Sequence, residues 1–185
     1  MQYLSLKNIF WYFLAYGLTT FAVMKFMPKE KRQKILTFTI QGSFLDKASA
    51  LISLVSRNII MVFSLFIPFY ANIYLIITGN VVYIIGLVLA TVAMWQFSRV
   101  KTDEAITWGL YKISRNPMQV MGFIMGIGVG IIANNLWLWI LTVINIISSY
   151  PMFFMQEKYC IEKYGQIYTE YMKKTPRILF IKGKK

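Results

Sequence analysis

The chain has 185 residues, of which 57% are hydrophobic and 15% charged, and its formal net charge is +13. Such an apolar composition excludes an ordinary soluble globular domain and predicts a membrane protein. The single cysteine excludes an intramolecular disulfide, and the lack of histidine argues against a zinc or haem site. Because the basic residues lie in short loops beside apolar runs, we assign the positive charge to lipid headgroups and topology, and expect no nucleic-acid partner.

The first predicted membrane-spanning helix covers Asn8 to Met27, and Pro28 ends it. It lacks a small-residue cleavage site, so we interpret it as a retained span and not as a signal peptide. A basic loop follows. The next stretch, residues 35–56, carries polar interruptions and stays outside the count of spans, as an interfacial or re-entrant element.

Two stretches without a charged residue come next, from Asn58 to Ser98 and from Asn116 to Gln156. About 20 apolar residues cross a bilayer as a helix, so each stretch is long enough for two spans. Polar triplets at 78–80 and 133–135 predict the tips of two helical hairpins. The sequence therefore predicts an all-α polytopic membrane protein with about five transmembrane helices.

A polar tail begins at Gln156. Aromatic and thiol side chains recur in it every three or four residues, at Cys160, Tyr164, Tyr168 and Tyr171. This spacing places them on one face of a C-terminal amphipathic cytoplasmic helix. We expect Gly165 to interrupt this helix and Pro176 to end it.

The basic residues also predict an orientation. If both hairpin tips face outside, only Lys7 of the 20 Lys and Arg residues lies on that side. The positive-inside rule then places the C-terminus in the cytoplasm, and an odd number of spans places the N-terminus outside. We expect the protein in the plasma (inner) membrane.

Polar residues meet at the open end of the second hairpin, where Arg115 and Glu157 can share one pocket. Asn116 suits a helix N-cap and Pro117 a first helical turn, which would aim a positive helix end at the cytoplasm. Together with Arg115, that end can hold a carboxylate or phosphate. Taken singly, a boundary arginine is also typical of a topology anchor, and a boundary glutamate of a solvated side chain.

Glycines are frequent in the helix that follows Pro117, at Gly122, Gly126, Gly128 and Gly130. Small residues four apart allow transmembrane helices to approach closely. We therefore expect these glycines to serve helix packing and not ligand binding.

The stretch GLYKISRNPMQVMGF, residues 109–123, resembles the G-x-Y-x-x-x-R-[HN]-P-M-Y motif of the isoprenylcysteine carboxyl methyltransferase and phospholipid methyltransferase superfamily. The tail resembles the second motif of that superfamily, E-E-x-x-L-x-x-x-[FY]-G-x-x-Y-x-x-Y-x-x-x-x-x-R. The matching residues are Glu157, Tyr164, Gly165, Tyr168, Tyr171 and Arg177. The chain departs from both patterns, with glutamine at positions 119 and 156 and cysteine at position 160.

The resemblance implies an integral membrane enzyme that transfers a methyl group from S-adenosylmethionine to a lipophilic acceptor reaching it from the bilayer. In a single domain of residues 1–185, it places the N-terminal helices in 1–97 and the cofactor-binding half in 98–185. By position it implies catalytic roles for Tyr111 and Arg115 and a substrate role for Arg177. The implied cofactor contacts are Arg115, Asn116, Pro117, Gln119, Glu157, Tyr164 and Tyr168.

The chemistry of the cofactor suits these residue types. S-adenosylmethionine carries a sulfonium, an ammonium and a carboxylate, so its site needs aromatic faces, an acid, and a cation or helix N-terminus. Tyr111 or Tyr164, Glu157 and Arg115 can supply them. A carboxylate acceptor needs no base, whereas an amine must be neutral, with Tyr111 or Glu157 as candidate bases. The acceptor and the oligomeric state stay open.

Two other functions stay open from the sequence. A non-catalytic transporter subunit or scaffold would depend on an intramembrane polar residue such as Asn145 and would tolerate loss of Glu157. Some sterol reductases resemble the superfamily in their last helices, but the chain lacks a glycine-rich dinucleotide motif.

Overall fold

The computed structural model describes residues 8–30, 32, 43–67, 73–101 and 103–179, with Asp46 described by its backbone alone. Within these ranges the chain forms five α-helices, one 3₁₀ helix and no β-strand, which confirms the all-α prediction. The elements are α1 (Phe10–Lys25), α2 (Phe44–Ser64), α3 (Ile73–Arg99), the 3₁₀ helix Gly109–Lys112, α4 (Pro117–Ala133) and α5 (Leu136–Lys174).

Three of these helices, α2, α3 and α5, are long and apolar enough to cross a membrane. Helix α4 is apolar but has 17 residues, and α1 has 16, against about 20 for a typical span. Large apolar side chains such as Phe21, Val62 and Ile147 are exposed on the helix surfaces. An exposed apolar surface of this extent suits lipid contact.

The predicted tip of the first hairpin is wrong, because residues 78–80 lie inside α3. The break between helices falls instead between Ser64, which ends α2, and Ile73, which begins α3. The Asn80 amide does not break the helix because it donates to the Ile76 carbonyl (2.7 Å) and accepts from the Tyr12 hydroxyl (2.8 Å).

The stretch left out of the count of spans, residues 35–56, belongs to α2 from Phe44 onward, while residues 35–42 lie outside the described residues. Helix α2 carries polar side chains along one face, which is why its apolar content alone did not predict a span. Two of those side chains, Ser53 and Ser56, contact α5.

The second hairpin turns where it was predicted, at Asn134 and Asn135. Asn134 adopts a left-handed conformation (φ 43°) that closes α4, and its N–H donates to the Gly130 carbonyl (3.0 Å). The Asn135 side chain accepts from the Leu138 N–H (3.1 Å) and caps α5. Asparagine suits both positions because its short polar side chain tolerates the left-handed region and caps helices.

The helices pack as two pairs, α3 with α4 and α2 with α5. In the first pair, Gly79 and Gly86 of α3 face Gly128 and Met125 of α4. A methyl group on Gly128 would lie 2.6 Å from the backbone nitrogen of Tyr83. The two backbones therefore touch, and glycine permits it.

The second pair is joined by polar contacts within the apolar region. The Asn145 amide of α5 donates to the Ser53 carbonyl (2.8 Å) and the Ser56 hydroxyl (3.0 Å) of α2. The hydroxyls of Ser53 and Ser149 are 2.7 Å apart. Since Ser53 meets Ser149 and Ser56 meets Asn145, α2 and α5 run antiparallel.

Helix α1 is attached at its first turn. The Asn8 amide donates to the Leu65 carbonyl (3.2 Å), and the Ile9 N–H donates to the Ile67 carbonyl (3.2 Å). The beginning of α1 and the end of α2 therefore lie on the same side of the bundle.

The polar tail continues the last span within α5, which is the course expected for it from the sequence. Gly165 has non-helical backbone angles (φ 56°, ψ −129°) and kinks it, which confirms the predicted interruption. The helix ends at Lys174, two residues before Pro176, as predicted. Its amphipathic, cytoplasmic character stays a prediction.

The four predicted packing glycines of α4 are not equivalent. Gly128 contacts the α3 backbone, and a methyl group on Gly130 would lie 2.9 Å from the Trp139 ring. No neighbouring atom lies within 4 Å of a methyl group placed on Gly122. Helix contact therefore explains Gly128 and Gly130 but not Gly122.

We predict that Gly128→Ala destabilises the protein by about 1–3 kcal/mol, because the added methyl must push the α3 backbone away. The matched control, Gly122→Ala, adds the same methyl in open space and should be neutral or stabilising. Thermal unfolding of both variants in detergent measures the difference. Equal melting temperatures for the two variants would contradict the packing of α3 on α4 described above.

Candidate active site

The loop between α3 and α4 is fixed by Gly109. This residue has φ 63°, and a methyl group on it would lie 2.2 Å from Nε2 of Gln96. The Gln96 side chain accepts a hydrogen bond from the Leu110 N–H (3.0 Å). Both the left-handed backbone and the close approach favour glycine. Together they set the 3₁₀ helix that buries Tyr111.

Residues 114–116, which follow the 3₁₀ helix, bind the segment that comes after α5. The Arg115 N–H donates to the Pro176 carbonyl (2.9 Å). The Ser114 hydroxyl (3.0 Å) and the Asn116 amide (3.1 Å) both donate to the Arg177 carbonyl. The two motif segments, which lie about 60 residues apart in the chain, therefore form one structural unit.

Asn116 occupies the N-cap position of α4 and Pro117 the first turn, as predicted, but the Asn116 side chain makes no cap hydrogen bond. Its amide donates a hydrogen bond to the Arg177 carbonyl instead. The Ser114 hydroxyl accepts from the Asn116 N–H (3.1 Å). The expected side-chain cap is therefore wrong, and Asn116 joins the segment after α5 to α4.

The carboxylate of Glu157 lies between two arginines. Arg177 donates to it twice, from Nε to Oε1 (2.8 Å) and from Nη2 to Oε2 (2.6 Å). Nη1 of Arg115 lies 3.3 Å from Oε1. Glu157 is 4% exposed and Arg115 is 8% exposed, so the structure brings together the two residues that the sequence placed at the open ends of the hairpin.

Arg177 joins this cluster from the segment that follows α5. Its guanidinium stacks on the Phe154 ring at 3.8 Å. The hydrogen bonds to Glu157 raise the pKa of Arg177 above its usual range. The ion pair thereby holds the segment after α5 against the bundle.

A cavity of about 800 Å³ lies between the two helix pairs. Helices α4 and α5 contribute Met118, Gln119, Met152, Gln156, Cys160, Tyr164, Tyr168 and Tyr171. The α3–α4 loop contributes Glu104, Tyr111, Arg115 and Asn116, and α2 contributes Lys47, Ala50, Leu51, Ser53, Leu54 and Arg57. Its size is typical of a small-molecule site.

One end of the cavity has buried polar atoms without a hydrogen-bond partner. They include Nε of Arg115 and the hydroxyl of Tyr111. Because the two guanidinium groups share a single carboxylate, this cluster keeps one positive charge in excess. Buried polar groups are normally paired, and the excess positive charge suits an anionic group beside these atoms.

The tyrosines of the tail face this end of the cavity and not the lipid. The rings of Tyr168 and Tyr171 are 5.5 Å apart, and those of Tyr164 and Tyr168 are 6.5 Å apart. The Tyr171 hydroxyl donates to the Tyr111 carbonyl. Burial raises the pKa of Tyr111 far above its ordinary value of 10.0, so its phenol stays protonated.

Most of the predicted site residues line the cavity: Tyr111, Arg115, Asn116, Pro117, Gln119, Tyr164 and Tyr168. Glu157 and Arg177 are not among the lining residues, since they lie behind Arg115 in the ion-pair cluster. The sequence interpretation missed Glu104 and the face of α2. A spacing of three to four residues between the cavity residues of α2 was the available signal.

A model of the phospholipid methyltransferase family matches residues 72–167, more than half of the chain. The chain belongs to this family of membrane methyltransferases, which confirms the superfamily that the two motifs indicated. A comparison with curated proteins found no match. The matched region contains Tyr111, Arg115 and Glu157, whereas α1, α2 and Arg177 lie outside it.

We predict that Glu157→Ala destabilises the protein by about 3–5 kcal/mol, because it leaves the buried Arg115 guanidinium without its counter-charge. Glu162→Ala is the matched control, since Glu162 is exposed on the same helix. Thermal unfolding in detergent, with limited proteolysis after Lys173 and Lys174, measures both effects. Equal stability and equal cleavage of the two variants would show that the ion-pair cluster does not hold the segment after α5 against the bundle.

Proposed function

We propose that the protein transfers a methyl group from S-adenosylmethionine to a membrane-embedded, lipophilic acceptor. One observation carries this proposal. The cavity of this methyltransferase-family chain has a cationic, tyrosine-lined end and, next to it, an apolar wall on α2, α4 and α5. A polar cofactor suits the first part and an amphiphile the second.

The residues at the polar end suit the cofactor. The unpaired Nε of Arg115 can bind its carboxylate by a charge-assisted hydrogen bond. The aromatic faces of Tyr164 and Tyr168 can surround its cationic sulfur. When bound, S-adenosylmethionine supplies an electrophilic methyl group.

Glu157 acts on the cofactor through Arg115 in this proposal. Both of its oxygens are engaged by arginines, so it orients the guanidinium. Glu104, which lines the cavity with its side chain 61% exposed and pairs with Lys101 at 3.7 Å, is a carboxylate that can also bind the cofactor ammonium. Gln119 and Gln156, whose amides are 3.4 Å apart, complete the polar wall.

The chain contributes position and exclusion of water, and not a base. Transfer requires a nucleophile aligned with the methyl group, which is a matter of orientation. Met118 and Met152 place apolar surface beside the polar end. Tyr111 forms part of the wall, since a phenol that stays protonated cannot accept the proton of an amine.

We propose the topology that the basic residues indicate, with the N-terminus outside and the C-terminus in the cytoplasm of the plasma membrane. The corrected turn after α2 lies on the same side as the Asn134–Asn135 turn in this arrangement. The cavity then opens at the cytoplasmic interface. The chain acts as one domain, with the N-terminal helices closing the cofactor-binding half.

The transporter or scaffold alternative has less support. Asn145, on which it depends, donates to the carbonyl and hydroxyl groups of α2 and joins two helices. A residue used in this way does not line a path for a transported solute.

We predict that the purified chain, reconstituted with a total membrane lipid extract, transfers label from methyl-labelled S-adenosylmethionine to the lipid fraction. Arg115→Ala should lower the rate at least about 100-fold, the loss expected for a buried charge-assisted contact. The control Arg99→Ala removes an arginine that stacks on Trp95 outside the cavity. Absence of labelled lipid with a folded wild-type protein would contradict the proposed function.

We also predict that Tyr111→Phe keeps methyl transfer within roughly threefold of the wild type, because a wall residue loses only its hydroxyl. Since the pKa of Tyr111 is raised, the hydroxyl stays protonated from pH 7 to above pH 9, and both proteins should share one pH profile. A loss of about 100-fold, or a pH-dependent limb present in the wild type alone, would establish Tyr111 as a base.

A further inference from the structure

Helix α2 places an arginine within the membrane-spanning part of the bundle. Arg57 lies 13 residues after Phe44 and seven before Ser64, or roughly 20 Å and 10 Å along the helix axis. The candidate span of α2 covers Lys47–Ser64. An arginine within a span is costly unless it faces a polar cavity or a counter-charge, so it usually marks a functional site.

Arg57 faces the cavity. It belongs to one face of α2, together with Lys47, Ala50, Leu51 and Leu54, at the spacing of three or four residues that defines a helical face. This face therefore has a cation at each end and apolar side chains between them.

Arg57 is exposed, and its guanidinium has no counter-charge within the described part of the chain. No ion pair or hydrogen bond joins Arg57 to any side chain among the described residues. Within the described ranges, the cavity lining contains the cations Lys47, Arg57, Lys101, Arg115 and Lys163 and one carboxylate, that of Glu104. Lys101 pairs with Glu104 (3.7 Å) and Lys163 with Asp103 (4.0 Å). Lys47 and Arg57 are therefore the lining cations without an ion pair among the described residues, and the acidic group of a ligand can supply one.

The direction of α2 points Arg57 toward the reactive end. Because α2 runs antiparallel to α5, its N-terminal part lies level with the residues of α5 that follow Ser149, where Glu157 and Arg115 lie. Side chains on a helix lean toward its N-terminus. Since Ser56 meets Asn145, Arg57 lies about 18 Å along the helix axis from the level of Glu157, and this leaning directs its side chain toward that end of the cavity.

We propose that Arg57 binds the acidic group, phosphate or carboxylate, of the amphiphilic methyl acceptor, whose apolar chain lies against Leu51 and Leu54. This inference rests on the proposed function for the identity of the occupant as acceptor. It makes Arg57 a specificity-determining residue. Since α2 lies outside the region that the family model matches, the selection of an acidic amphiphile is a property of this chain's own N-terminal part.

Binding of short-chain lipids to the full chain in detergent tests this proposal, with thermophoresis as the readout. The probes are dihexanoyl phosphatidic acid, decanoic acid and the neutral control dihexanoylglycerol. Arg57→Gln should weaken binding of an acidic probe at least about tenfold, the effect of losing a hydrogen-bonded charge pair. Arg57→Lys should lose only part of that affinity, because lysine keeps the positive charge but lacks the planar guanidinium that can donate two parallel hydrogen bonds.

The matched control is Arg99→Gln, which makes the same charge change on an exposed arginine outside the cavity. It should bind both acidic probes like the wild type. Arg57-dependent binding of phosphatidic acid or of decanoic acid supports the proposal and identifies the group. Binding that is equal in the wild type and Arg57→Gln, or equally weakened in Arg99→Gln, overturns it, as does failure of both acidic probes to bind.

Titration of S-adenosylhomocysteine into the same variants separates this inference from the proposed function. Arg57→Gln should retain the cofactor affinity of the wild type, which also shows that it is folded. If lipid binding depends on Arg57 but no variant binds S-adenosylhomocysteine, the acidic-lipid site stands and the methyltransferase assignment fails. If S-adenosylhomocysteine binds but the acidic probes do not, the opposite conclusion follows.

Discussion

The polar half of the protein depends on one buried carboxylate. Glu157 receives both guanidinium groups of the site, one from the loop before α4 and one from the segment after α5. A buried charge is tolerated only when it is paired, so this carboxylate requires the two segments to meet. The carbonyls of Pro176 and Arg177 then bind the backbone and side chains of residues 114–116. Arg115 is thereby held at the end of the cavity, with its Nε and Nη1 free of hydrogen bonds.

The apolar half follows from how the helices pair. Glycines join α3 to α4 through direct backbone contact, and serine and asparagine side chains join α2 to α5. The cavity lies between these pairs, so each pair supplies one wall. In the proposed function, an acceptor dissolved in the bilayer reaches the cofactor end along α2, α4 and α5. The combination of a water-soluble cofactor with a lipid acceptor is what such an arrangement permits.

Much of the site was predictable because its residues lie near one another in the sequence or at helical spacing. The tyrosine face of α5, the Asn134–Asn135 turn and the meeting of Arg115 with Glu157 are of this kind. The role of Arg177 was not, because its ion pair depends on where the chain returns after α5. The first hairpin tip was misplaced because Asn80 and Gly79 look like turn residues, yet a tyrosine hydroxyl and a neighbouring helix satisfy them. Helix α2 was missed because its polar face is covered by α5.

We propose above all that the cavity beside Arg115 binds the methyl donor. Calorimetric titration of S-adenosylhomocysteine into the detergent-purified wild-type chain tests it most directly. We expect saturable binding of one molecule per chain, with a dissociation constant on the order of 1–100 μM, the range in which enzymes commonly bind their substrates. A folded, monodisperse sample that releases no heat of binding at millimolar ligand would contradict the claim.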